Sequence, residues 1–137
     1  EHDCFSDNTH NSFYYDGLGI QNVYLGHYTR TDGTVITGPA LSDLVAAADP
    51  AVDAQLKSEL AATMAALTAL KARADTGMAY DQMIAPGNAE GGALIMGTVD
   101  ALVTQTASIQ RAMGALGLAA AGFEGSDSLD NPTAVFQ

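Results

Sequence analysis

Apolar residues recur along this chain at helical spacing. Ile95, Val99, Leu102, Thr106, Ile109, Met113 and Leu116 follow one another at intervals of four and three, which keeps them on one side of a helix. The pattern predicts a helix over 88–116, stopped by Gly117. A second stripe, Val52, Leu56, Leu60, Met64, Leu67 and Leu70, predicts a helix that opens at Asp49-Pro50 and leaves at Gly77. Asp is a good N-cap, and Pro is tolerated at the first helical position. Just before it, "LSDLVAAA" reads as a short helix capped by Ser42. Phe13, Gly17, Ile20 and Tyr24 form a third seam, in a helix expected to begin at the very start of the chain. Gly17 and Gly19 lower its propensity by about 1 kcal/mol each relative to Ala, so their presence implies close approach by a neighbour.

The connections are polar. Asp32-Gly33 is a turn signal inside 29–40, and Thr34-Val35-Ile36 can be briefly extended. A second loop is expected over 85–92, and a turn-rich tail over 122–137, with Phe123 and Phe136 available to pin it. There is no internal repeat. Three long helices and a short one predict an all-α, antiparallel helical bundle in a single domain, 1–137. Its seams outnumber their partners within the chain. The sequence therefore predicts an apolar face left for another chain or another part of the same protein.

Composition narrows the function. Only five basic residues stand against sixteen acidic ones, for a net charge of −11. Such a surface repels phosphate backbones, which excludes most nucleic-acid binding, and favours cations or basic partners. The single cysteine, Cys4, allows no intramolecular disulfide. No run reaches the ~20 consecutive apolar residues of a membrane span. There is no initiator Met, which predicts that upstream sequence, including a signal peptide, has been removed.

The candidate chemistry lies in "EHDCFSDNTH", 1–10. Extended backward from Phe13, the first seam lands on His10, Ser6 and Asp3, so a stripe that is apolar at Phe13 becomes ionisable towards its start. On a continuous helix Asp3, Asp7 and His10 would share one face. Carboxylate oxygen with imidazole nitrogen suits iron, zinc or manganese better than calcium. Glu1 and His2 lie alongside, and a metal site would need further ligands from another element. The competing reading is structural, because Ser, Asp and Asn gather at helix N-termini as caps. Zinc-protease, P-loop, Gly-x-Ser-x-Gly and haem-attachment motifs are absent.

"CFSDNTH" (4–10), "GIQNVYLGHY" (19–28), "GPALSDLVAAADPAVDAQL" (38–56), "YDQMI" (80–84), Gln105-Thr106 and "FEGSDSLDNPTAVFQ" (123–137) together resemble the imelysin family, in its imelysin-like, iron-regulated protein A branch. The resemblance spans the chain in order. It implies a helical fold, a periplasmic or outer-membrane-associated bacterial protein, and a link to iron uptake. Family members carry two helical-bundle halves with a site between them, and the family is filed among metallopeptidases through an insulin-cleaving member. Its Gly-x-His-x-x-Glu motif lies in the N-terminal half and is missing here, where Gly26-His27 lacks the spacing and the Glu. The resemblance is therefore to the C-terminal half, and the partner it implies is an N-terminal half or a second chain. Three functions follow as expectations: a metal- or ligand-binding protein using Asp3, Asp7 and His10 with Glu1 and His2 nearby, holding iron or zinc; a metallopeptidase; or a non-catalytic, partner-binding bundle.

Overall fold

A computed structural model describes residues 2–3 and 5–119. Glu1, Cys4 and the tail expected at 122–137 lie outside the described residues. The order of elements is α1 Thr9–Leu25, β1 His27–Thr29, β2 Val35–Thr37, α2 Leu41–Ala48, α3 Pro50–Asp75, α4 Tyr80–Met83 and α5 Ala89–Ala115. The chain is all-α apart from the antiparallel β1–β2 ribbon, in which Tyr28 pairs with Ile36. Asp32 turns the ribbon by accepting a 2.8 Å hydrogen bond from the Thr34 N–H.

Local chemistry sets the helix ends. Asp49 accepts from the backbone N–H groups of Ala51 and Val52, at 3.0 and 3.2 Å, and starts α3 with Pro50 behind it. These bonds satisfy donors that no helical carbonyl can reach. Asn88 does the same for α5 through the Gly91 N–H, so α5 begins where its seam predicted, and the loop expected over 85–92 ends at Asn88. Gly117, at φ +72°, ends it. Ser42 does not cap α2: Ala40 holds that position and Ser42, the second helical residue, is buried.

α3 is the central helix. Tyr24 reaches Asp53, Gly17 sits on Leu67 and Met64, and His10 meets Asp75. As the α1 number rises the α3 number falls, so these helices are antiparallel. The Arg73–Glu90 and Glu59–Arg111 pairs give the same sense for α3 and α5. Tyr24, Val45, Leu56, Leu60 and Ala112 form the core towards one end. Leu67, Leu70 and Met83 are buried towards the other. Gly17 and Gly91 have a clear steric reason: a Cβ at Gly17 would collide with the Leu67 side chain, and one at Gly91 with the Met83 backbone.

The buried face of α5 differs from the expected one. It presents Gly91, Thr98, Gln105, Ser108 and Ala112 to the interior, with the seam residues Ile109 and Leu116 half-buried against the edge of the core. Small and short polar side chains let α5 come close to α3. The seam residues Ile109, Met113 and Leu116 also line an apolar groove with Ile20 and Val23 of α1. Among the described residues both outer helices therefore contribute to an apolar groove. α5 is also long and apolar enough, by length and composition alone, to cross a membrane. The sequence reading had found no such run. Weighing against a span, α5 buries Gln105 and Ser108 against α3, the placement of a bundle helix with a polar interior strip.

Candidate functional site

The opening residues do not extend α1 backward. Asp7 takes φ +51° and Asn8 lies at the N-cap, so the helix begins at Thr9. Left-handed backbone at a non-glycine residue occurs mostly at Asn and Asp, and it cannot propagate a helix. Asp3, Asp7 and His10 therefore do not share a helical face, which corrects the spacing argument. Asp3 folds back on the first turn: its N–H donates to Thr9 Oγ1 at 3.1 Å, and its carboxylate accepts from the Ser12 hydroxyl. Its carbonyl also accepts from the N–H groups of Ser6 and Asn8. Asp7 is exposed on the turn. His2 is exposed as well, with its ring edge-on to Phe13 at 4.8 Å, and Phe13 in turn meets Tyr80 at 5.3 Å. Asn8 makes no side-chain cap to the helix N–H groups, so the capping explanation of this polar cluster does not hold in its simple form either.

His10 is the residue that turns inward. Its side chain is 12% exposed, and its Nε2 lies 3.5 Å from Asp75 Oδ1 at the far end of α3. The same nitrogen is 3.1 Å from Asn11 Nδ2, while Asn11 also donates to Asn8 Oδ1 at 2.8 Å. Nδ1 is buried and has no hydrogen-bond partner among the described residues. The two contacts at Nε2 call for opposite tautomers. Accepting from Asn11 puts the proton on Nδ1, which is then an orphaned donor; donating to Asp75 leaves Nδ1 with an unused lone pair. In both cases a buried imidazole nitrogen is unsatisfied, at a cost of about 1–3 kcal/mol.

Asp75 is ionised and well held. Lys71 donates to its Oδ2 at 2.7 Å, and this hydrogen bond, with the Lys71 charge, keeps its carboxyl below the usual range despite partial desolvation. Carboxylates in this position fix the tautomer of a ligand histidine by accepting from the ring nitrogen that does not bind. Sequence reasoning missed Asp75 because it lies 65 positions from His10 along the chain, and only the antiparallel packing of α1 on α3 brings the end of one helix to the start of the other. Among the described residues no three His, Cys, Asp or Glu side chains come together to hold a metal ion. Among the described residues, the inward histidine His10 and the Asp75 carboxylate are the pair that comes together here.

A sequence model described as Imelysin, under a peptidase label, matches residues 1–109. No curated protein matched the chain. The matched span takes in the turn before α1, His10, and Asp75 at the end of α3. The chain belongs to the imelysin family.

Proposed function

We propose that this chain is the C-terminal half of an imelysin-like periplasmic protein linked to iron uptake, and that it binds a ligand or metal in a cleft shared with an N-terminal half. The observation that carries this reading is the unpartnered, buried His10 Nδ1, beside a carboxylate placed to take the other ring proton. Iron or zinc fits a neutral imidazole with carboxylate oxygens. His10 would be the nitrogen donor, Asp75 would orient it, and Asp7, exposed on the preceding turn, is the carboxylate open to a neighbour. Asp3 is occupied by Ser12 and Thr9 and acts as a brace for the turn. The other half would supply the remaining ligands.

The metallopeptidase reading has less support, since three acidic or imidazole groups do not converge among the described residues. The test is zinc binding by calorimetry on the chain assembled with an N-terminal half, on His10→Gln and on Asp75→Asn. Loss of binding in His10→Gln, and a 10–100-fold weakening in Asp75→Asn, is the expected result with far-UV circular dichroism unchanged. Undiminished binding by His10→Gln removes the assignment. Chelator-sensitive cleavage of insulin B chain by the purified protein would restore the peptidase reading.

A further inference from the structure

α3 and α5 meet along a strip whose inside is polar. Glu59 and Thr63 of α3 and Gln105 and Ser108 of α5 are each more than nine-tenths buried. Buried polar groups are normally paired, because leaving one unmet costs about 1–3 kcal/mol. Here three oxygens have no hydrogen-bond partner among the described residues: Glu59 Oε2, Thr63 Oγ1 and Gln105 Oε1.

The helix register brings their side chains to one level. Arg111 donates to Ser108 Oγ and lies 3.6 Å from Glu59 Oε1, so Glu59 and Ser108 stand opposite each other across the interface. Thr63 is one turn further along α3, about 6 Å. Gln105 is three residues back along the antiparallel α5, about 4.5 Å in the same direction. Glu59 uses Oε1 on the two side chains at the rim, Gln55, which donates at 2.5 Å, and Arg111. Its Oε2 is the oxygen left to the interior.

A count of donors identifies the ligand that fits. A carboxylate oxygen and an amide carbonyl only accept, and the Thr63 hydroxyl has one proton to give. That proton can meet one of the two acceptors and leaves the other unmet. A water molecule closes the set: its two protons go to Glu59 Oε2 and Gln105 Oε1, and its oxygen accepts from Thr63. About three hydrogen bonds is the usual number for an internal water. A metal cation fits less well, because Arg111 already sets a positive charge against Glu59.

We propose that one internal water is a fixed ligand of this chain, held by Glu59, Thr63 and Gln105 and joining α3 to α5. The site lies about 18 Å along α3 from Asp75, so it does not depend on the metal reading. Its three holders are buried. The water therefore exchanges with solvent only when α3 and α5 part, and its lifetime reports the opening of that interface.

Oxygen-17 magnetic relaxation dispersion on the full chain counts long-lived internal waters. Thr63→Val combined with Gln105→Met removes two of the three holders at nearly the same volume. The count is expected to fall by one, with far-UV circular dichroism unchanged. Thr63→Ser keeps the hydroxyl and should keep the count. If the double variant does not fold, Gln105→Met alone is read in the same way. An unchanged count in the folded variant overturns the proposal, because no water was held there. Loss of one water in Thr63→Ser also overturns it, because packing and not the hydroxyl then holds the site. So does a Tm that rises with added sodium, potassium or calcium at constant ionic strength in the wild type but not in Glu59→Gln, because the occupant is then a cation.

Discussion

Gly17 and Gly19 are two residues apart on α1, and replacing each by alanine separates two effects that usually arrive together. Both substitutions gain the helix propensity of alanine over glycine, about 1 kcal/mol. At Gly19 nothing lies within 4 Å of the new Cβ, so Gly19→Ala should stabilise the chain by most of that amount. At Gly17 the new methyl collides with the buried Leu67 side chain and lies 3.4 Å from Met64 Sδ. Overpacking of this kind costs about 1–3 kcal/mol. The propensity gain is common to both variants and cancels in their difference. Gly19→Ala should therefore exceed Gly17→Ala in stability by about 1–3 kcal/mol, which at roughly 4 °C per kcal/mol for a domain of this size is a separation of about 4–12 °C in Tm. Urea unfolding followed at 222 nm gives the same quantity without extrapolating across temperature. Equal stabilisation by the two alanines would mean that α1 does not approach α3 at Gly17, and the packing of the bundle described above would be wrong.

Gly91→Ala places a methyl against backbone, 2.5 Å from the Met83 carbonyl oxygen; because backbone yields less than a side-chain tip, a loss of about 2 kcal/mol is expected, and a neutral variant in thermal unfolding would refute the α4–α5 contact. Tyr24 donates to the buried Asp53 at 2.9 Å, and burial, that bond and the Asp53 charge push its phenol well above the ordinary value near 10. The folded state therefore prefers the neutral phenol, so this contribution is intact below about pH 10 and is lost as pH rises further, because the unfolded chain ionises first. Tyr24→Phe should cost about 1 kcal/mol at neutral pH and flatten that alkaline decline, and an unchanged decline would place its cause elsewhere. Asp49→Ala removes two hydrogen bonds at the start of α3 and should cost about 1 kcal/mol, with Asn recovering most of it in the same urea assay.

Much of the fold was legible because local chemistry and periodicity agree. Asp49-Pro50 announced α3, Gly117 closed α5, and Asp32-Gly33 marked the turn of the ribbon. The errors have physical causes. The first seam was carried past residue 9 as if a helix could run through any polar residues, yet Asp7-Asn8-Thr9 is a cluster that favours turns and caps, and Asp7 adopts the left-handed conformation. Ser42 was taken as a cap on residue type, although its hydroxyl is drawn into the interior. On α5 the apolar heptads were read as the buried face. A second repeat, Gly91, Thr98, Gln105 and Ala112 at intervals of seven, was equally visible and is the one that meets α3. It is short and partly polar, so it stands out less than the apolar seam, whose Ile109 and Leu116 pack at the edge of the core. In the site, His10 was found by spacing for a reason that fails, since it shares no helical face with Asp3 and Asp7. What singles it out is burial beside Asp75, and that pairing exists only once α1 and α3 are antiparallel.

The central claim is that His10 is held with Nδ1 free of hydrogen bonds and able to act as a donor once the other half is in place, and the ring nitrogens can be read directly by long-range ¹H–¹⁵N correlation on labelled protein. The account predicts that His10 carries its proton on Nε2 facing Asp75, with Nδ1 unprotonated, and that adding Zn²⁺ shifts His10 Nδ1 before the nitrogens of exposed His2 and His27. A protonated Nδ1 in the metal-free chain, or a His10 spectrum that stays unchanged while zinc shifts the other two histidines, would contradict it.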